Sequence, residues 1–359
     1  KSILLLSDSF KPMSRVLVFT QPYKVGFEEY EDRSLKPDEI RVRTLYSGIS
    51  AGTELTAYRG SNPYLHKQWD PDRRLFIPAE QVSLSYPISG WGYEEVGEVI
   101  ELGADVEEVT LGDVVYGIWG HRTHHIIETQ YAREHTLPKN LEPIFGVFSR
   151  IGAIALNGVH DANIRIGETV VVFGLGTLGQ IVGQLACQSG ARVIGVDLLE
   201  MRLELAQSNG AVDVALNARD GEVAERIRAL TGNNGADLAI EVSGSTTALN
   251  EAVRSVAYSA RVIALGFFQG ETGGLYLGEE FHHNRVNIVC SQISGTNPEL
   301  TYRWNQQRLA QTFMDLQANG VVNLQPIISH VIPFEHAAEA FRILDEQPKE
   351  ALQVILQFT

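Results

Sequence analysis

The residues best suited to chemistry form a glycine-rich segment, Gly174-Leu175-Gly176-Thr177-Leu178-Gly179, in the second half of the chain. It follows the apolar run Thr169–Phe173, which is typical of a buried strand, and precedes apolar residues spaced like one face of a helix. In that context the first glycine makes a tight turn, the second lets the backbone approach a pyrophosphate, and the third lets helix and strand pack closely. The free N–H groups at the helix start favour phosphate oxygens. The segment therefore predicts a dinucleotide site containing Gly174, Gly176, Thr177, Leu178 and Gly179.

An acidic residue follows at the distance that ribose recognition requires. Asp197 ends the next predicted strand, 23 residues after Gly174, where a carboxylate accepts hydrogen bonds from the adenosine ribose and repels a 2′-phosphate. This favours NAD over NADP, although Arg202 nearby is able to bind a phosphate. In the simpler interpretation the glycines only make a turn and Asp197 only caps a helix. We also place Gly266 and Ser294 in the cofactor site.

Composition narrows the class of protein. The chain has 359 residues, a formal net charge of −15 and 44% hydrophobic residues. This balance supports a folded, two-domain protein and argues against nucleic-acid binding, which favours clustered Lys and Arg. No apolar run has the length of a membrane span, and we recognise no signal peptide, so we expect a cytoplasmic protein with a small-molecule substrate. Its two cysteines exclude a disulfide framework or a four-cysteine zinc site.

Two regions differ in the elements they predict. Residues 13–150 contain short strands broken by Gly, Pro and Asp, which predicts a β-barrel or partly open barrel. From about residue 150 strands alternate with helices, which predicts a parallel sheet with right-handed crossovers. We further expect an amphipathic helix over Pro298–Ala318 and a closing strand over Val354–Phe358. The fold class is thus α/β plus β.

These segments together resemble the medium-chain dehydrogenase/reductase superfamily. The resemblance rests on Gly48–Glu54, Gly92–Gly97, the glycine-rich turn, Ala191–Asp197 and the closing strand. It implies a GroES-like barrel as catalytic domain, here 13–150 and 295–359, with an inserted Rossmann doubly wound parallel sheet as NAD-binding domain, 151–294. Residues 1–12 would be an N-terminal extension. It also implies a homodimer or homotetramer.

Zinc members of this superfamily hold the metal with three ligands, and this sequence lacks all three. The first, a Cys, is matched by Ser50 or Ala51, depending on the direction of counting. The second, a His, is matched by Tyr93, and the third by Ser149. The cluster His121, His124, His125 and Glu128 is able to bind a metal but fits better as a polar strand at a cleft edge. We therefore expect no metal and a zinc-independent member.

Two short segments, Ser47–Glu54 and Gly92-Tyr93-Glu94, are also similar to the bacteriochlorophyllide hydroxyethyl dehydrogenases, which oxidise a secondary alcohol on a chlorin side chain. The match does not by itself indicate a pigment substrate.

The resemblance also suggests which residues act in place of the metal. Thr53 falls at the proton-relay position, and the phenol of Tyr93 would meet the substrate oxygen as a proton donor. Acting as a base, Tyr93 would need a lowered pKa, from a cation such as Arg150 or a histidine. We assign catalysis to Thr53, Tyr93, Glu94 and Ser149, and the substrate pocket to Tyr58, Trp119, His121, His124 and Arg150. Each of these residues also has a purely structural interpretation, as filler, turn or cleft wall.

The sequence thus predicts a zinc-independent, NAD-dependent oxidoreductase that interconverts a secondary alcohol and a ketone. The substrate would be a sugar, a cyclitol or a larger hydroxylated metabolite. Two alternatives remain at this point. One is an NAD(P)H-dependent reductase of an activated C=C bond, which usually carries a basic residue where this chain has Asp197. The other is a non-catalytic dinucleotide-binding protein.

Overall fold

The computed structural model describes residues 13–78, 82–269 and 273–359. The predicted extension, residues 1–12, lies outside the described residues. None of the helices in the described ranges is long and apolar enough to cross a membrane.

The first part of the chain is mainly antiparallel sheet. Its strands are β1 (Met13–Gln21), β2 (Lys24–Glu31), β3 (Glu39–Ile49), β4 (Gln68–Asp70), β5 (Leu75–Ile77), β6 (Ile88–Ser89), β7 (Glu95–Leu102), β8 (Val114–Gly117) and β9 (His124–Glu128). The long strand β3 organises this part, because it pairs with β7 along one edge and with β9 over its first half. Two helices interrupt the strands, α1 (Ala51–Arg59) directly after β3 and α2 (Thr129–Glu134) after β9.

The middle of the chain forms a parallel sheet covered by helices. The strands are β10 (Thr169–Phe173), β11 (Arg192–Asp197), β12 (Val214–Asn217), β13 (Ala236–Glu241), β14 (Val256–Ala264) and β15 (Asn287–Cys290). Within the described residues they lie in the order β12-β11-β10-β13-β14-β15, which is the doubly wound order of dinucleotide-binding sheets. The helices are α3 (Phe148–Ala162), α4 (Thr177–Gln188), α5 (Glu200–Ser208), α6 (Val223–Leu230) and α7 (Thr246–Ser255).

The end of the chain returns to the first sheet. Helix α8 (Gln306–Ala318) is followed by β16 (Ile328–Pro333), α9 (Ala337–Glu346) and β17 (Gln353–Gln357). Strand β17 pairs antiparallel with the second half of β3, so Val354 lies opposite Ile49. This pairing brings residues near position 353 next to the segment that follows β3.

One helix is shorter than its sequence pattern predicts. The expected helix over Pro298–Ala318 divides into a 3-10 turn, Pro298–Leu300, and helix α8, which begins only at Gln306. The reason is local, because the side chain of Asn305 accepts a hydrogen bond of 2.8 Å from the Arg308 N–H and so caps α8.

Candidate active site

A cavity of about 790 Å³ lies between the parallel sheet and the sheet that contains β3 and β17. Its walls include the glycine-rich turn, the end of β11, the start of α1 and Tyr93. Its position beyond the carboxyl ends of parallel strands is where doubly wound folds bind their ligands. The cavity brings together most of the predicted dinucleotide residues, except Ser294, and part of the predicted catalytic group.

The glycine-rich turn has the geometry that its motif predicts. Gly174 has φ +92°, and a Cβ there would lie 2.9 Å from the backbone nitrogen of Ser243. A Cβ on Gly179 would lie 1.9 Å from the carbonyl oxygen of Gly174, so only glycine lets α4 pack against the strand. Gly176 is open, since the nearest atom to its Cβ position is Nη1 of Arg202 at 3.7 Å. The open backbone at the start of α4 fits a pyrophosphate.

Asp197 is buried, lines the cavity and is already hydrogen-bonded by the backbone. Oδ2 accepts from the Leu175 N–H at 2.7 Å, and Oδ1 accepts from the N–H groups of Leu198 and Leu199 at 2.7 and 2.9 Å. The carboxylate therefore fixes the turn, since three of its roughly four acceptor sites are occupied by backbone N–H groups. Arg202 lies 3.8 Å from Oδ2, and Arg219 lines the same end of the cavity.

The other two predicted cofactor residues differ in position. Gly266 lines the cavity, and a Cβ there would lie 2.3 Å from the backbone nitrogen of Gly244. Ser294 does not line it; its hydroxyl accepts a hydrogen bond of 3.1 Å from Arg150.

Three hydroxyl groups meet at the opposite end of the cavity. The phenol oxygen of Tyr93 shares a hydrogen bond with the hydroxyl of Ser50, and donates to Oγ1 of Thr53 at 3.3 Å. Ser50 and Thr53 lie at the start of α1, where the chain leaves β3. Burial and then the nearby Glu94 raise the pKa of Tyr93, so its phenol is protonated at neutral pH.

Glu94 is fully buried beside this cluster. Its Oε2 accepts a hydrogen bond of 3.2 Å from Nε2 of Gln353, and its Oε1 has no partner among the described residues. Burial, followed by the charges of Glu54 and Glu95, raises the pKa of Glu94 well above its ordinary value. Its side chain does not line the cavity.

A second buried network lies behind the hydroxyl groups. Oε2 of Glu54 lies 2.6 Å from Nε2 of His121, whose Nδ1 lies 2.6 Å from the hydroxyl of Ser47. The Ser47 hydroxyl donates to Oε1 of Glu95 at 3.1 Å. All four residues are fully buried.

Several residues that the sequence places in the substrate pocket lie elsewhere. Tyr58 is buried against Phe19 and Phe341, and Trp119 donates from its ring to Thr44 at 2.9 Å. His124 contacts Ser14 on β1. Tyr58, Trp119, His121 and His124 do not line this cavity, because packing and hydrogen bonds in the first part of the chain hold their side chains elsewhere.

The remaining two predicted residues lie on α3. Ser149 is buried and does not line the cavity, unlike Ile151 and Ile154 on the same helix. Arg150 donates to the carbonyl of Ile293 at 3.0 Å, to Ser294 and to Gln306, so it braces one cavity wall without lining it.

The donor atoms at the three positions where zinc members carry ligands do not fit a zinc ion. They are the hydroxyl of Ser50, the protonated phenol of Tyr93 and the hydroxyl of Ser149, whereas zinc takes thiolate, imidazole and carboxylate ligands. Across residues 13–78, 82–269 and 273–359, no group of three or more His, Cys, Asp or Glu side chains is arranged to hold a metal.

Sequence reasoning left four residues of this site without a role. Ser50 was, with Ala51, one of two candidates for a lost ligand, and the structure places its hydroxyl in contact with the phenol of Tyr93. Glu54 and Gln353 belong to the site because they contact residues far away in the sequence, His121 and Glu94, and no spacing in the sequence predicts these contacts. Arg219 lies after β12 at the cavity edge, and its position beyond a strand end was the available signal.

Comparison with known proteins agrees with this architecture. A family model described as "Zinc-binding dehydrogenase" matches residues 177–307, a range that includes α4 but not Ser50, Tyr93 or Ser149. The chain is 33% identical over 350 residues to D-guloside 3-dehydrogenase of Escherichia coli K12, covering 95% of this chain and 99% of that protein. It is 28% identical over 289 residues to sorbitol dehydrogenase 1 of Saccharomyces cerevisiae, covering 70% and 76%.

The crystal structure of galactitol-1-phosphate dehydrogenase from Escherichia coli shares the fold with a TM-score of 0.75 at 20% identity, covering 96% of this chain and 99% of that chain. The predicted fold class, a GroES-like barrel with a Rossmann parallel sheet, is confirmed. The predictions of a dehydrogenase and of an alcohol-type oxidoreductase are also confirmed. The chain belongs to the zinc-binding dehydrogenase family of the medium-chain dehydrogenase/reductase superfamily.

Proposed function

We propose that this dehydrogenase interconverts a secondary alcohol and a ketone with NAD and without zinc, and that its substrate is a sugar or polyol. The observation that carries the proposal is the hydroxyl cluster of Ser50, Thr53 and Tyr93, which shares one cavity with the glycine-rich turn. The names of the relatives, which include D-guloside and sorbitol dehydrogenases, support a carbohydrate hydroxyl as the reacting group.

The cofactor residues fit a nicotinamide dinucleotide. Gly176 leaves backbone open at the start of α4, and Asp197 presents a carboxylate at the end of β11. When bound, such a cofactor supplies the acceptor or donor of hydride. The catalytic contribution of the chain is then to orient the alcohol and to handle its proton.

The hydroxyl cluster is suited to that proton transfer. In ketone reduction the neutral phenol of Tyr93 donates a hydrogen bond and then a proton to the carbonyl oxygen. Ser50 or Thr53 returns a proton to the phenol and takes one in turn from solvent water. In alcohol oxidation the proton travels the opposite way, from the substrate hydroxyl through Tyr93 and then Ser50 or Thr53 to solvent water, because a neutral hydroxyl passes a proton on but does not keep a second one. Each hydroxyl both donates and accepts, so the chain of hydrogen bonds reverses without moving heavy atoms.

The test is an assay of chelator-dialysed protein whose zinc content has been measured. NAD⁺ is offered with methyl glycosides, polyols and simple secondary alcohols, and reduced cofactor is followed by its absorbance. We expect turnover without metal, and we expect Tyr93→Phe to lower kcat by about 10²-fold or more while NADH binding is unchanged.

Other outcomes would reject the proposal in distinct ways. Activity that disappears with the chelator and returns with Zn²⁺ would reject zinc independence. Turnover only of enones with NADPH would identify a C=C reductase, and NADH binding without turnover of any substrate would identify a non-catalytic protein.

The domain boundaries, a cytoplasmic location and a homodimer or homotetramer also remain proposals. In support of an oligomer, β15 is an edge strand of the parallel sheet and carries the exposed Cys290. Sedimentation analysis tests the oligomeric state.

A further inference from the structure

His121 is held at both ring nitrogens inside the protein. Nε2 lies 2.6 Å from Oε2 of Glu54, and Nδ1 lies 2.6 Å from the hydroxyl of Ser47. None of the three side chains is exposed to solvent. The contacts therefore have to be satisfied within the protein, and the positions of their hydrogens follow from the donors available.

The arrangement places a hydrogen on each ring nitrogen. The Ser47 hydroxyl has one hydrogen, which it donates to Oε1 of Glu95 at 3.1 Å, so it accepts from Nδ1. On the other side Nε2 faces a carboxylate oxygen of Glu54, whose second oxygen accepts from the Ser50 N–H at 2.8 Å. An imidazole that donates from both nitrogens carries a positive charge.

The charged groups around the ring agree with this assignment. Glu54 faces His121 from α1 and Glu95 faces it from β7, while the ring of Phe341 on α9 lies 6.1 Å away, centroid to centroid. Burial alone would lower the pKa of His121, but the charge and hydrogen bond of Glu54, with the charge of Glu95, raise it above its ordinary value.

His121 supports both residues of the Ser50–Tyr93 pair. Through Glu54 it is connected to the backbone N–H of Ser50. On the other side its ring lies against Gly92, where a Cβ would be 3.0 Å from Cε1 and Nε2. The backbone N–H of His121 also donates to the Trp91 carbonyl at 3.1 Å. One buried ring thus lies behind the segments that carry the two hydroxyl groups.

We propose that His121 is an imidazolium at neutral pH, locked between Glu54 and Glu95, and that it is a positioning residue for the Ser50–Tyr93 pair. This inference rests on the proposed function for the role of that pair. Loss of the ring would leave the carboxylates of Glu54 and Glu95 buried without a cation, and the segments that start at Ser50 and Gly92 would separate or shift. Because a shift of about 1 Å in a reacting group costs on the order of 10²-fold in rate, the effect should be large in kcat.

The charge is tested on the unmodified protein by NMR of ¹⁵N-labelled histidine. One histidine should keep both ring nitrogens protonated at pH 7, where an ordinary histidine, which titrates near 6.5, is mostly neutral. That signal should be missing in His121→Gln. In Glu54→Gln, which removes the principal charge partner, it should titrate at lower pH than in the parent protein.

The positioning role is tested by kinetics and by a readout that needs no turnover. His121→Gln should lower kcat about 10²-fold, with the Kd for NADH within twofold, because it touches none of the cofactor residues. The signals of ¹³C-labelled Tyr93 should shift. The matched control is His135→Gln, since His135 is a partly buried histidine that hydrogen-bonds the Tyr131 carbonyl at 2.8 Å. It should change neither kcat nor the Tyr93 signals.

Each result is decisive. A neutral His121 at pH 7 in the parent protein would overturn the inference even if the enzyme oxidises alcohols. Unchanged Tyr93 signals in folded His121→Gln would reject the positioning role. If no alcohol is oxidised, only the proposed function fails, because the NMR titration and the Tyr93 signals still decide this inference.

Discussion

Gln353 donates a hydrogen bond of 3.2 Å to the buried carboxyl group of Glu94, although the two residues are 259 positions apart. The contact joins β17, the last strand of the chain, to the residue that follows Tyr93. Gln353 also donates to the carbonyl of Ile49, at the end of β3, at 3.3 Å. The end of the chain is therefore part of the structure that holds the hydroxyl cluster.

Burial of Glu94 has a consequence for stability. Its pKa is raised above the value in the unfolded chain, so its neutral form is favoured in the folded protein. A raised carboxyl pKa gives stability that is complete below the unfolded pKa, near 4.3, and is lost as pH rises toward the folded pKa. Glu94→Gln, which cannot ionise, should therefore be more stable than the parent protein at pH 8, by on the order of 1 kcal/mol. Urea unfolding at about pH 5 and pH 8 measures the difference.

Glu39→Gln is the control, because it should change the stability of the protein in the opposite direction at neutral pH. The hydrogen bond from Arg33 lowers the pKa of Glu39 to about 2, so its contribution to stability is present at neutral pH and is lost as pH falls. This variant should be less stable than the parent protein at pH 7, with the difference shrinking in acid. A Glu94→Gln variant that is less stable at pH 8 than at pH 5, relative to the parent, would contradict the assignment.

Much of the dinucleotide-binding site could be predicted, because the sequence features that mark it lie close together in the chain. The glycine spacing, the flanking strand and helix, and Asp197 all lie within one βαβ unit, and each has a backbone reason that the structure reproduces. Element boundaries were less predictable where a single cap decides them. Asn305 caps α8, which begins at Gln306, eight residues after Pro298, although the apolar pattern continues across the 3-10 turn and the helix.

The hydroxyl site could be predicted only in part, since it is assembled from distant segments. Tyr93 and Thr53 are marked by short motifs, but the contact of Tyr93 with Ser50 is not, since Ser50 and Ala51 were only the two positions that match a lost zinc ligand. His121 has the sequence pattern of a polar strand at a cleft edge. Its burial depends on Glu54 and Glu95, which belong to other elements of the fold. No periodicity in the sequence predicts that these carboxylates lie near His121.

The two hydroxyl partners of Tyr93 should not be equivalent. Ser50 makes the shorter contact, whereas Thr53 lies 3.3 Å away, so Ser50→Ala should lower kcat more than Thr53→Ala. We expect a loss of roughly 10²-fold for Ser50→Ala and a smaller loss for Thr53→Ala. Steady-state kinetics with the substrate found in the panel measures both. Thr129→Ala, whose hydroxyl bonds the Asp38 carbonyl outside the cavity, is the control. Equal, small losses in both test variants would exclude a proton path through these hydroxyls.

Cofactor preference should depend on Asp197. The parent protein should bind NAD⁺ more tightly than NADP⁺. Asp197→Ala should lower the ratio of the Kd for NADP⁺ to the Kd for NAD⁺ by roughly 10-fold or more, since a hydrogen bond to a charged group contributes about 1.5–3 kcal/mol. Equilibrium binding of both cofactors measures the ratio. Asp197→Asn is the matched variant, because it keeps an acceptor for the Leu198 N–H while it removes the charge. A parent protein that prefers NADP⁺, and loses that preference in Arg219→Ala, would assign this end of the cavity to a 2′-phosphate instead.

The close packing of the glycine-rich turn predicts that Gly179→Ala weakens cofactor binding. The added Cβ would lie 1.9 Å from the Gly174 carbonyl oxygen and 2.8 Å from its carbonyl carbon, so the backbone of the turn would have to move to make room. We expect the Kd for NADH to rise at least 10-fold and the free energy of unfolding to fall by about 1–3 kcal/mol, the range for overpacking a close contact. Gly278→Ala is the control, because nothing lies within 4 Å of its Cβ position and it is remote from the cavity lining. NADH affinity retained in Gly179→Ala would mean that the third glycine is not required for the phosphate turn in this protein.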